Sequence, residues 1–268
     1  MNEATGGLVA AAIARIARLG TWEWVAMATV LAAAAAGLLF AAQGSSAIPP
    51  AGADQFSKPQ RAAIDAIVRQ YILGHPEIIP EAINRLQERE VTKLLDSNRA
   101  EIETPFASAW AGNPNGDVVM VEFFDYACPY CRSSKADVDR LLAEDKQLKV
   151  VYRDFPVLGP ASDEAAMASL SAARQGKYQA FHGAMFAAGR PSHERVIATV
   201  RQARLNEGQT ARDLAGGAFK AEIQKNLDIG RALGLTGTPA YVIGDRILSG
   251  AIGYDEMKKA IADTRAAR

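Results

Sequence analysis

Histidine and cysteine are scarce in this chain of 268 residues, which holds three of the first and two of the second. Two cysteines cannot build the disulfide lattice of a small secreted scaffold, and three histidines far apart in sequence leave too few donors for a four-ligand zinc site. Net charge is missing as well, since 30 Lys and Arg balance 30 Asp and Glu. No basic block interleaved with aromatics marks a nucleic-acid surface, and nucleic acid drops out as a partner. What is present is an ordinary globular composition, 49% hydrophobic and 22% charged, near the length of two domains and able to bury a sizeable core. No internal repeat is visible, and the alanine enrichment is a helix-propensity signal.

Charge is absent most conspicuously between Glu23 and Asp54. Within that interval residues 24–42 supply the roughly 18 apolar residues that cross a bilayer as one helix. Arg15 and Arg18 precede the run, which keeps the first residues cytoplasmic and sends the rest across the membrane, with Trp22 and Trp24 at the interface. A cleaved signal peptide is the rival reading, because Ser45-Ser46-Ala47 offers small residues for cleavage, although the run exceeds the roughly 7–15 residues of a signal core. Either way the body is exported, to a periplasmic or other extracytoplasmic location, anchored to the inner membrane or released. Residues 1–47 are read as tail and anchor or signal. Residues 48–56, with Pro49, Pro50 and Gly52, read as a linker.

Residues 57–104 read as a helical arm. Ser57-Lys58-Pro59-Gln60 has capping-box spacing, so a helix should begin there. Ile64, Ile67, Val68, Tyr71 and Ile72 recur at helical spacing until Gly74-His75-Pro76 interrupts, and Ile79, Ile83, Leu86, Leu94 and Leu95 resume it. Such an arm cannot bury its apolar stripe on itself. It must pack against the following module or form a homo-oligomer with copies of itself.

Residues 112–268 form the second module. Residues 118–124 are apolar on both faces, as in a strand buried mid-sheet. A helix should start directly after Cys128, and residues 148–155 read as the next strand. Residues from about 162 to 233 are Ala-rich and broken by glycines, which suggests inserted helices. A hairpin across Gly244-Asp245 and a helix over residues 254–264 close an α/β domain with a mixed sheet.

The chemistry centres on Cys128-Pro129-Tyr130-Cys131. Two sulfurs this close at a strand-to-helix junction can close a small disulfide ring and reopen it by exchange with an outside thiol. A sulfur at a helix amino terminus faces unpaired amides and the positive end of the helix dipole, which favour thiolate, so Cys128 is the candidate nucleophile. Pro129 suits the first helical turn, and Cys131 lies one turn inward as the resolving thiol. Zinc would need a second pair of ligands that the chain lacks, so no metal residue is assigned. A structural bridge over so short a loop would stabilise little.

With Phe123-Phe124-Asp125-Tyr126-Ala127 leading into the two cysteines, and Thr238-Pro239-Ala240-Tyr241 far downstream, the chain resembles the DsbA-like branch of the thioredoxin superfamily over roughly residues 112–268. Its arm is similar to the amino-terminal segment of ScsC-like proteins, some of which oligomerise through it. The resemblance implies a thioredoxin fold with an inserted helical subdomain. It implies a redox-active Cys128–Cys131 disulfide with no further cofactor, a cis Pro239 beside the sulfurs, and an acidic residue at the place of Glu122. Thr238, Pro239, Pro129 and Tyr130 then border the client.

Glu122 lies six residues before Cys128 among apolar neighbours. Buried there, its carboxyl would have a raised pKa and could exchange a proton with Cys131. The alternative is a Glu that reaches solvent past the strand end. His75, His182 and His193 read as surface or packing residues. Tyr130 stands where DsbA-like oxidases usually carry His, which makes the disulfide less oxidising. The expected activity is therefore thiol:disulfide exchange on exported cysteine-containing proteins as isomerase, reductase or oxidase, with a membrane thiol-redox partner setting the net direction. The alternative function is a membrane-tethered assembly factor whose two sulfurs hold a soft metal such as Cu(I) for delivery.

Overall fold

The computed structural model describes residues 55–267, and the proposed membrane run at 24–42 lies outside them. Among the described residues no helix is long and apolar enough to cross a membrane. The chain divides into two units, one ending at Gly74 and one beginning at His75.

In the first unit, α1 spans Lys58–Gly74. The Ser57 amide donates to Gln60 Oε1 at 2.8 Å, one arm of the expected capping box. The helix buries no residue, and Ile67, Val68 and Leu73 are all exposed.

In the second unit α2, Ile78–Glu103, carries Pro80 in its first turn, where a missing amide breaks no helical bond. Then follow β1 (Trp110–Gly112), β2 (Val118–Phe124), α3 (Pro129–Glu144) and β3 (Leu148–Asp154). The insertion contributes α4 (Pro160–Arg174), α5 (Tyr178–Ala187), α6 (His193–Gln202), α7 (Glu207–Gly216) and α8 (Lys220–Ala232). The hairpin β4 (Ala240–Ile243) and β5 (Arg246–Ser249) and the helix α9 (Tyr254–Ala266) close the fold. The sheet order is β1-β3-β2-β4-β5, with β2 and β3 parallel and the other pairs antiparallel. The sheet is therefore mixed. The sequence pattern missed β1, three residues too short to show a period.

Alternation along β2 assigns its two faces. Met120 and Phe124 point into a core with Tyr152, Tyr241, Val138 and Met257, under α3 and α9. Val121 and Phe123 point into a second core completed by Leu95 and Ile102 of α2 and by Ile229 and Leu233. The carboxyl half of α2 is thus a cover for the sheet, one of the two fates expected for the arm. Arg153 fixes it there. Its guanidinium donates to the carbonyls of Ile102 and Thr104, the latter at 2.7 Å, to the Glu101 carbonyl, and to Asn226 Oδ1 at 2.9 Å. It also pairs with Glu222 at 3.2 Å. These carbonyls are the free acceptors at a helix carboxyl end, where a cation is stabilising.

Candidate active site

The strand-to-helix turn after β2 is built by Asp125. Its buried carboxyl accepts the amide of Ala127 at 2.7 Å, an Asx turn, and the amides of Val157 at 2.9 Å and Leu158 at 3.0 Å. One side chain thereby ties the cysteine loop to the loop after β3. Cys128 is the N-cap of α3, with extended backbone at φ −76° and ψ 119°, and Pro129 occupies the first turn as expected. Helical spacing then places Cys131, Ser134, Val138 and Leu141 on one buried face.

Both cysteines are free thiols in the structure. Cys128 retains 4% exposure and Cys131 none, so only the first can be reached from outside. The Cys128 thiol donates to the Thr238 carbonyl at 3.2 Å, which brings the far loop against the sulfur pair. The Thr238–Pro239 bond is cis, as the resemblance implied. Pro239 is buried, Thr238 is half-buried, and Pro129 and Tyr130 face solvent at the rim.

Glu122 lies in the middle of β2, flanked by Tyr152 on β3 and Tyr241 on β4. It is 3% exposed, so its carboxyl does not reach solvent past the strand end. Burial pushes its pKa up to about 8, with Asp139 reinforcing that rise and Lys135 opposing it. Burial likewise pushes the Cys131 thiol well up, and the Glu122 and Cys128 charges add to the effect. A sealed thiol that ionises with difficulty thus feels the charge of a buried carboxyl that ionises near neutrality, the pair of groups a proton exchange would need.

A polar chain behind the loop was not read from the sequence. The Tyr126 hydroxyl donates to Ser169 Oγ at 3.1 Å, Ser169 donates to Asp154 Oδ2 at 3.2 Å, and His182 Nδ1 lies 3.1 Å from Tyr126 on the other side. Burial holds His182 well below its usual pKa and Asp154 well above. His182 also packs against the Phe124, Tyr152 and Tyr178 rings. The helical insertion is thus bonded to the residue two before Cys128. His75 and His193 are exposed and pair with Glu77 and Glu164. Among the described residues no three His, Cys, Asp or Glu side chains group to hold a metal.

The family described as DSBA-like thioredoxin domain matches residues 119–262, more than half of the chain and both motifs of the site. This chain belongs to that family. Residues 60–91 match the family described as copper resistance protein ScsC N-terminal domain. A thioredoxin-like oxidoreductase from Silicibacter pomeroyi is 38% identical, superposes with a TM-score of 0.59, and covers 62% of this chain and 96% of its own. A linker-deletion variant of Proteus mirabilis ScsC is 27% identical with a TM-score of 0.62, covering 80% of this chain and 98% of its own. Disulfide bond formation protein D of Bacillus subtilis is 22% identical over 163 residues, 56% of this chain and 73% of that protein. The chain spans only 24% of another curated relative, the Na(+)/H(+) antiporter NhaA 3 of Salinispora tropica, at 24% identity over 155 residues, 56% of this chain.

Proposed function

We propose that this protein is an exported thiol:disulfide oxidoreductase in which Cys128 exchanges with client cysteines and Cys131 resolves the mixed disulfide. The observation that carries the reading is the asymmetry of the two sulfurs. Cys128 sits at a helix amino terminus 3.2 Å from the Thr238 carbonyl, and Cys131 lies sealed behind it near a buried carboxyl.

In the oxidising direction a client thiolate attacks Cys128 Sγ of the closed disulfide and the Cys128–Cys131 bond breaks. Cys131 leaves as a thiolate and takes the proton of the Glu122 carboxyl. A second client thiolate then attacks the client sulfur of the mixed disulfide and releases Cys128. Two electrons have passed from client to protein. Reduction runs the same steps backwards, with Cys131 giving its proton to the Glu122 carboxylate as it attacks. Pro239, lacking an amide, leaves neighbouring backbone groups for an extended client chain, and Tyr130, Pro129 and Thr238 border its path.

Export rests on the uncharged run after Arg15 and Arg18, and the partner that recharges the dithiol is a membrane thiol-redox protein. The α1 stripe, with Ile67 at 65% and Leu73 at 67% exposure, supports association of copies, and two linked domains recapture a client at an effective concentration of roughly millimolar. That favours isomerisation over one-pass oxidation. The match of residues 60–91 to a copper resistance family keeps the second reading, Cu(I) held by the two sulfurs. Incubating the purified protein with scrambled and with reduced substrate, alongside metal analysis, separates the two. Recovery of native disulfides by metal-free protein supports exchange. Stoichiometric copper with no exchange contradicts it.

A further inference from the structure

Two hydroxyls beneath the site stop short of a well-formed hydrogen bond. Ser134 Oγ and the Tyr241 hydroxyl are fully buried and close no hydrogen bond. Tyr241 stands directly opposite Glu122 in the β2–β4 register, so both side chains leave the sheet on the α3 face. Ser134 follows Cys131 by one helical turn on the buried face of α3. The Tyr241 hydroxyl approaches the Glu122 carboxyl on one side and Ser134 on the other. Orphaned buried hydroxyls are costly, and a hydroxyl can reorient its proton, so their placement calls for a state in which they are used.

We propose that Tyr241 is a positioning residue for Glu122, its hydroxyl donating to the carboxylate that forms when Glu122 gives its proton to Cys131, with Ser134 donating in turn to the Tyr241 oxygen. The inference rests on the proton exchange between Glu122 and Cys131 described above. In that step Cys131 thiolate and Glu122 carboxyl become Cys131 thiol and Glu122 carboxylate, and Tyr241 keeps its own proton throughout. The other titratable groups facing Glu122 are Lys135 and Asp139 on α3, Tyr152 on β3 and the Cys131 thiol. α9 presents apolar Met257, Ala260 and Ile261 to the same core. Lys135 is the one cation that acts on Glu122 among these groups, and it is engaged by Asp139 at 2.6 Å. Tyr241 is the uncharged donor that register places beside the carboxyl.

The test is the ionisation of Glu122 in Tyr241→Phe and Ser134→Ala, followed by the infrared carboxyl band of the reduced protein and assigned by its loss in Glu122→Gln. Alongside it runs the pH profile for resolution of a Cys128 mixed disulfide. Losing a hydrogen bond to a charged group should move both midpoints alkaline by about one pH unit in Tyr241→Phe, with a smaller shift for Ser134→Ala. The resolution rate at pH 7 should fall up to about tenfold with the same shift. Midpoints unchanged in both variants overturn the proposal. The infrared titration does not require exchange activity. A shifted infrared midpoint in a protein with no exchange therefore sinks the functional reading alone.

Discussion

A carboxyl held at a pKa of about 8 changes stability with pH in a direction that can be worked out. Glu122 has a model-peptide value of 4.5, so between about 4.5 and 8 the folded protein keeps a proton that the unfolded chain releases. Stability therefore falls as pH rises through that window, by at most a few kcal/mol in total. Glu122→Gln mimics the protonated form and should flatten the dependence. Urea unfolding of the reduced protein at pH 5 and pH 9 should find the variant more stable than wild type at pH 9, with little difference at pH 5. An equal offset at both would mean that Glu122 is not buried in its charged form. The cysteine pair and the depth of Glu122 were legible because each is a local signal, a CxxC after an apolar run and an acid inside it. Tyr241 and Ser134 were not, because only strand register and helix packing bring residues 122, 134 and 241 together. Asp125 lies between: its turn to Ala127 is a local pattern, but its bonds to Val157 and Leu158 cross more than 30 residues of chain.

Between elements, the longest lever is Arg153. The sequence shows it as one of three charged residues in β3, beside Lys149 and Asp154, with nothing to say that it meets carbonyls some 50 residues earlier. Arg153→Met should leave those carbonyls and Asn226 without their donor and cost about 3–5 kcal/mol. Hydrogen exchange should report it as lost protection over residues 95–104, and unchanged protection there would deny Arg153 its role in holding α2. Gly230 has a different reason for being what it is. A Cβ there would lie 2.2 Å from the Phe155 ring, so α8 packs against the residue that follows β3 only because the side chain is absent. Gly230→Ala should cost about 1–3 kcal/mol by overpacking, read as a lower urea midpoint at constant slope. The helix order, the hairpin and the closing helix followed from periodicity and glycine breaks. β1 did not, since its three residues pair with β3 by contact rather than by pattern.

At the scale of the molecule, the proposed association of copies rests on the exposed stripe of α1. Replacing Ile67 and Leu73 by Glu in the full chain should yield monomers by light scattering that exchange simple dithiols but no longer isomerise scrambled clients. A wild-type chain already monomeric at working concentration would remove association from the account. The central claim is that Cys128 alone meets the client and Cys131 alone lets it go. The direct measurement is trapping: reduced Cys131→Ser and reduced Cys128→Ser are each mixed with a disulfide-bearing client, resolved without reductant, and the linked peptide is read by mass spectrometry. The account predicts a persistent mixed disulfide at Cys128 in Cys131→Ser and none in Cys128→Ser. Equal trapping by both variants, or a linkage at Cys131, would contradict it.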